Sequence, residues 1–133
     1  MKRRFFNKWN WEYDYGEEEL PSEPGPDSPH AVAHYDGEGR LYRVVITRMA
    51  ALGKPDTAQL TYDYFCDDTG RVLEKRSLDE FGMVVLLVRF IYESSGEAPT
   101  QVAFNPKSGD TRSAVRKDYL TKRMQNNNRS SRR

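Results

Sequence analysis

The chain has 133 residues, with 21 Lys and Arg against 20 Asp and Glu, a net charge of +1 and a mean hydropathy of −0.86. That length supports one domain with one modest core, and so polar a composition leaves part of the chain outside it. The single cysteine, Cys66, excludes an internal disulfide and a cysteine-cluster metal site, and no apolar run nears the roughly 20 residues of a membrane-spanning helix.

The small net charge hides an uneven distribution. Lys2, Arg3, Arg4 and Lys8 stand at the start without an acid, and residues 10–29 then carry Glu12, Asp14, Glu17, Glu18, Glu19, Glu23 and Asp27 without a base. From Arg112 onward the chain is basic again, with Asp118 the only acid. Residues 1–15 read as an aromatic N-terminal strand: alternation from Trp9 places Trp9, Trp11, Tyr13 and Tyr15 on one face and Asn10, Glu12 and Asp14 on the other. Residues 16–29, acidic and holding Pro21, Pro24, Pro26 and Pro29, read as an extended linker.

Residues 30–106 form the body. Strands are expected at 30–35, 40–49, 58–66, 71–78, 83–92 and 100–104. The fifth is apolar on both faces apart from Arg89, the pattern of a central strand with both faces covered, and 71–78, with Glu74, Lys75 and Arg76, reads as solvent-facing or near an edge. Residues 107–125 read as a short basic helix opened by Asp110-Thr111, and residues 126–133 as a disordered polar tail.

One signature punctuates the body: an acidic residue, two small or polar residues, then Gly. It occurs as Asp36-Gly37-Glu38-Gly39, Asp67-Asp68-Thr69-Gly70, Asp79-Glu80-Phe81-Gly82 and Glu93-Ser94-Ser95-Gly96. An acidic side chain can cap the free amides of a type I turn while Gly takes the left-handed position that closes it. Each copy flanked by apolar alternation is a hairpin loop. The expected fold is therefore mainly β: an antiparallel meander of about six strands, a twisted open sheet, with a short C-terminal helix.

Tyr35-Asp36-Gly37-Glu38-Gly39-Arg40-Leu41 resembles the Tyr-Asp-x-x-Gly-Arg-Leu core of the YD (Rhs-type) repeat. Cys66-Asp67-Asp68-Thr69-Gly70-Arg71-Val72 is a second copy with Cys in the Tyr position, and Tyr92-Glu93-Ser94-Ser95-Gly96-Glu97 a decayed third. Their unequal spacing is unlike the long β-spiral shell those repeats build and more similar to small bacterial single-domain proteins that reuse the hairpin, several of them beside toxin genes. The resemblance implies an immunity or adaptor role in a bacterial toxin or defence system.

No pattern announces catalysis, a cofactor or a metal. Asp67/Asp68 and Asp79/Glu80 are explained as turn residues. His30 and His34 would lie ~13 Å apart along a strand, too far to share an ion. Cys66, next to two aspartates, reads as a packed thiol, and Arg89 as the partner of Asp63 or Glu74. A cavity lined by Tyr62, Tyr64 and Arg89 is the least favoured site. The candidate partner-binding residues are Trp9, Trp11, Tyr13 and Tyr15, a stripe that serves either as cover for the second face of the 83–92 strand or as a binding surface. The alternative function is nucleic-acid binding through Arg112, Arg116, Lys117, Lys122 and Arg123. The expectation is thus a cytoplasmic, non-enzymatic protein-interaction module whose partner is another protein, such as a toxin or effector.

Overall fold

In the computed structural model, which describes residues 2–25, 28–48, 58–93 and 98–131, one antiparallel sheet carries the fold. Its strands are β1 (Lys2–Asn10), β2 (Tyr15–Leu20), β3 (His30–Tyr35), β4 (Leu41–Arg48), β5 (Ala58–Cys66), β6 (Val72–Leu78), β7 (Val84–Ile91), β8 (Thr100–Phe104) and β9 (Thr111–Val115), followed by helix α1 (Tyr119–Ser131). The strand order is β2-β1-β3-β4-β5-β6-β7-β8-β9. Antiparallel pairing and the C-terminal helix match expectation, but there are nine strands, not about six.

The three additional strands have physical causes. The single strand expected over 1–15 is instead β1, a tight turn and the start of β2. Asn10 makes the turn: its side chain accepts from Tyr13 N (3.0 Å) and its carbonyl from Asp14 N (2.8 Å). The acidic segment 16–29 begins as a strand rather than a linker because β1 supplies its counter-charges. Arg4 donates two bonds to the Glu19 carboxylate at 2.8 and 2.9 Å, Asn7 donates to Glu18 (2.7 Å), Arg3 lies 3.2 Å from Glu23, and Lys8 is in register with Glu17. The charge asymmetry of the N-terminal third is thus a cross-strand pairing rule.

At the other end, Asn105 builds a longer turn. Its side chain accepts from Lys107 N (2.9 Å) and Ser108 N (3.2 Å), Gly109 takes a φ of +78°, and Asn105 N closes on Asp110 O (2.9 Å). Asp110-Thr111 therefore enters a strand instead of capping a helix. Helix α1 begins after Asp118, whose carbonyl accepts from Lys122 N (2.9 Å), and it runs through residues expected to be disordered. Arg132 and Arg133, the expected loop at 50–56 and the Ser94-Ser95-Gly96 part of the fourth acidic turn lie outside the described residues.

The three acidic turns at 36, 67 and 79 share one geometry. Each Asp Oδ1 accepts two backbone amides at 2.9–3.0 Å, each Asp N closes on the carbonyl four residues on at 2.9 Å, and Gly39, Gly70 and Gly82 take φ of +80°, +87° and +81°. A register shift precedes each turn. The first of these shifts turns Leu41 inward with Val44, so Leu41 is buried rather than on the opposite face as alternation alone predicts.

The core lies on one face. Cross-strand rows run Phe6–Ala31–Ile46–Leu60, Ala33–Val44–Tyr62–Ser77–Leu86 and Tyr64–Lys75–Val88–Ala103. Buried Gly16 lets the Phe6 ring lie across β2, since a Cβ there would enter the ring. The outer face of β7 is not covered, contrary to the reading of its sequence: Val85 and Ile91 are exposed and only Val88 and Phe90 are buried. Nor is β6 near an edge; it is central, and Lys75 points into the core.

Candidate functional site

The β1–β2 turn folds over the inner face and delivers Asp14 onto β5 and β6. Asp14 holds a left-handed φ of +60°, tolerated by Asp because its short side chain can bond locally. Its carboxylate is fully buried and saturated. Oδ1 accepts from Tyr64 OH (2.7 Å) and Lys75 Nζ (2.9 Å), and Oδ2 accepts from Tyr119 OH (2.6 Å) of α1. Lys75 Nζ also donates to Trp11 O and sits 4.0 Å from the centre of the Trp11 ring. Arg123 closes the cluster from the helix, donating to Asp14 O and to Gly70 O, both at 3.1 Å.

Burial shapes the electrostatics. It pushes the Tyr64 and Tyr119 hydroxyls far above the ordinary tyrosine value, and the Asp14 charge adds to the rise. It pulls the Lys75 ammonium down against the opposing pull of Asp14. One cation and two neutral donors thus bond the carboxylate, and a second cation, Arg123, bonds the backbone carbonyl of the same residue. With Asp14 and Tyr119 at 0% exposure and Lys75 at 1%, this arrangement fastens turn, sheet and helix together.

The aromatic stripe is part of the same assembly. Trp9 donates from Nε1 to Tyr64 OH (2.9 Å) and meets Phe6 edge-on, and Trp11 packs on Tyr62 with ring centres 4.6 Å apart. Tyr13 stacks on Tyr119 and donates to Asp118 (3.1 Å), while Tyr15 OH accepts from Asn10 (3.3 Å). All four are half-buried, and Trp9, Trp11 and Tyr13 pack on the core over β5, β6 and α1 rather than over β7.

A cleft of about 300 Å³ opens beside this cluster, where the turns at 36–39 and 67–70 meet α1. Arg40, Arg71 and Arg123 reach it, but Arg40 pairs with Asp36, Glu38 and Asp68, and Arg71 pairs with Asp67 and lies over the Tyr92 ring. Burial opposes the Asp67 charge, but bonds from Thr69 and Arg71 outweigh it and hold the carboxyl at about 2. Cys66 is half-buried, its thiol pushed up to about 11 first by burial, and it donates to Leu41 O (3.4 Å).

The remaining sequence candidates separate. Arg89 is exposed and lies 3.2 Å from Glu74, one of its two expected partners, away from Tyr62 and Tyr64, which face the core. His30 Nδ1 lies 2.6 Å from Ser28 O, while His34 sits beside Tyr42 with its pKa lowered first by burial and then by Arg3 and Arg43. The basic C-terminal residues do not share one face: Arg112 is exposed on β9, Arg116 faces Glu12, Lys117 is exposed, Lys122 pairs with Asp118, and Arg123 points inward.

Sequence reasoning missed Asp14, Lys75 and Tyr119. The available signal was Lys75, which alternation places on the same face as Ser77 and the buried rows. No family model, curated protein or solved structure matches the chain.

Proposed function

We propose that the chain is a non-enzymatic protein-interaction module, in its most specific form an immunity or adaptor protein of a bacterial toxin or defence system. The specific form rests on the YD-type hairpins. The observation that supports the general one is the outer face of the sheet's C-terminal half, where Val85, Ile91, Phe104 and Val115 are exposed on neighbouring strands. They lie on one sheet face in two groups either side of Arg89, and exposed apolar side chains gathered on one face are what a partner protein buries. The buried Asp14 cluster, by contrast, has its carboxylate occupied on both oxygens and supports a structural role.

The partner surface is therefore placed on β7–β9, and the aromatic N-terminal stripe is read as sheet cover. The alternative of nucleic-acid binding loses support from the scatter of the basic residues, since a phosphate track needs cations along one accessible surface. A tagged chain expressed in its native host is expected to retain a partner protein. Ile91→Glu combined with Phe104→Glu is expected to lose that partner without lowering the thermal midpoint. Retention of nothing, or a partner held equally by the double variant, sinks the reading.

A further inference from the structure

The two edges of the sheet differ. Helix α1 packs beside β2 at one edge, whereas every residue of β9, at the other, is exposed. An open edge strand presents unpaired backbone groups, which proteins ordinarily blunt with proline, bulges or inward charge. Strand β9 (Thr-Arg-Ser-Ala-Val) has no proline, and its pairing with β8 has no register shift; its one charge, Arg112, stands on the inner face opposite Ala103 and is exposed.

We propose that β9 pairs antiparallel with β9 of a second copy of this chain, about a twofold axis through Ser113. Three features of the sequence around the strand favour a second copy over another partner. Arg112 falls opposite Ala114, so the one charge within the strand is not set directly against its own copy. On the outer face Val115 falls opposite Thr111, beside Phe104, so the exposed Ile91–Thr100–Val115 row of one copy continues into the Thr111–Phe104–Leu87 row of the other. One residue beyond each end, Asp110 falls opposite Arg116, twice by symmetry. Among the described residues Asp110 makes no ion pair, and Arg116 has only Glu12 at 3.8 Å, with its buried Nε lacking a hydrogen-bond partner. The strand and the residues flanking it are self-complementary in apolarity and charge.

Pairing about Ser113 brings the two Ser113 Cα atoms to about 5 Å, within disulfide reach, while the two Thr111 Cα atoms stay about 14 Å apart. On a Cys66→Ser background, Ser113→Cys is expected to form a crosslinked dimer under mild oxidation and Thr111→Cys is not. Sedimentation of the purified full chain from about 1 to 500 μM, the range for a small interface, is expected to show a monomer–dimer equilibrium. Asp110→Lys and Arg116→Glu are each expected to weaken it about tenfold, and the double variant to restore it. A strict monomer over that range, equal crosslinking at both positions, or a double swap that fails to restore association overturns the proposal. These readouts use the purified chain alone, so they are independent of the heterologous partner proposed above.

Discussion

The two halves of the sheet share antiparallel pairing of consecutive strands and end in opposite states. From β1 to β6 the inner face is roofed by the β1–β2 turn and by α1, and charged and polar groups are buried with partners: Asp14, Lys75, Tyr64 and Tyr119. From β7 to β9 the sheet thins to an edge whose last strand is exposed on both faces. Antiparallel pairing by itself therefore does not set burial. What differs is whether a segment distant in sequence returns to cover the strands.

If the buried cluster fastens the first half, breaking it has the largest effect. Asp14→Asn keeps a residue suited to the left-handed conformation but leaves the Lys75 ammonium buried without its counter-charge, and is expected to destabilise by about 3–5 kcal/mol in denaturant unfolding. Adding Lys75→Met should recover a large part of that loss, because both charges are then gone. A double variant no more stable than Asp14→Asn alone breaks the account of the cluster as a compensated pair.

Gly16→Ala comes next. Its methyl would enter the Phe6 ring, and a cost of about 1–3 kcal/mol is expected. Asp67→Ala removes a carboxylate that accepts two backbone amides, and about 1–2 kcal/mol is expected.

The pH dependence sharpens the same contrast. Tyr64 and Tyr119 have folded pKa values raised above the ordinary 10.0, so their contribution is fully present below pH 10 and is lost as pH rises beyond it. The thermal midpoint should fall above pH 10, with near-ultraviolet tyrosinate absorbance from these two rings appearing only on unfolding. Asp67 works in the opposite sense: held at about 2 against 3.8, it stabilises above pH 3.8, and that contribution is lost as pH falls towards 2.

The smallest effect belongs to the open half. Ile91→Glu and Phe104→Glu should shift stability by no more than about 0.5 kcal/mol each, since neither side chain is buried in the isolated chain. A larger cost there would mean that the outer face is covered after all.

Much of the body was legible in the sequence. The strands β3, β5 and β8 fall on the residues expected, and β4, β6 and β7 within one residue wherever both ends are described. The acidic turns behaved as turns because every bond that makes them spans four residues or fewer. Residues 9–15 were misread because period-2 alternation of aromatics is satisfied equally by a strand and by a turn that folds over the same sheet and lays Trp9, Trp11 and Tyr13 on its core. The acidic run at 17–19 was misread because its counter-charges lie on β1, 9 to 15 residues earlier, and pair only once the turn exists. The segment after residue 106 was misread because Asn105 does the work of the turn aspartates without an acidic residue.

The sequence by itself therefore determined the hairpins: acid, glycine and alternation act over a few residues and need no partner. Only the tertiary structure decided which face is roofed, because Asp14 meets Tyr64, Lys75 and Tyr119 across 50, 61 and 105 residues. No local pattern can specify bonds over that distance. They form where the β1–β2 turn and α1 come together over β5 and β6, and a buried carboxylate is tolerated there because all of its donors arrive at once.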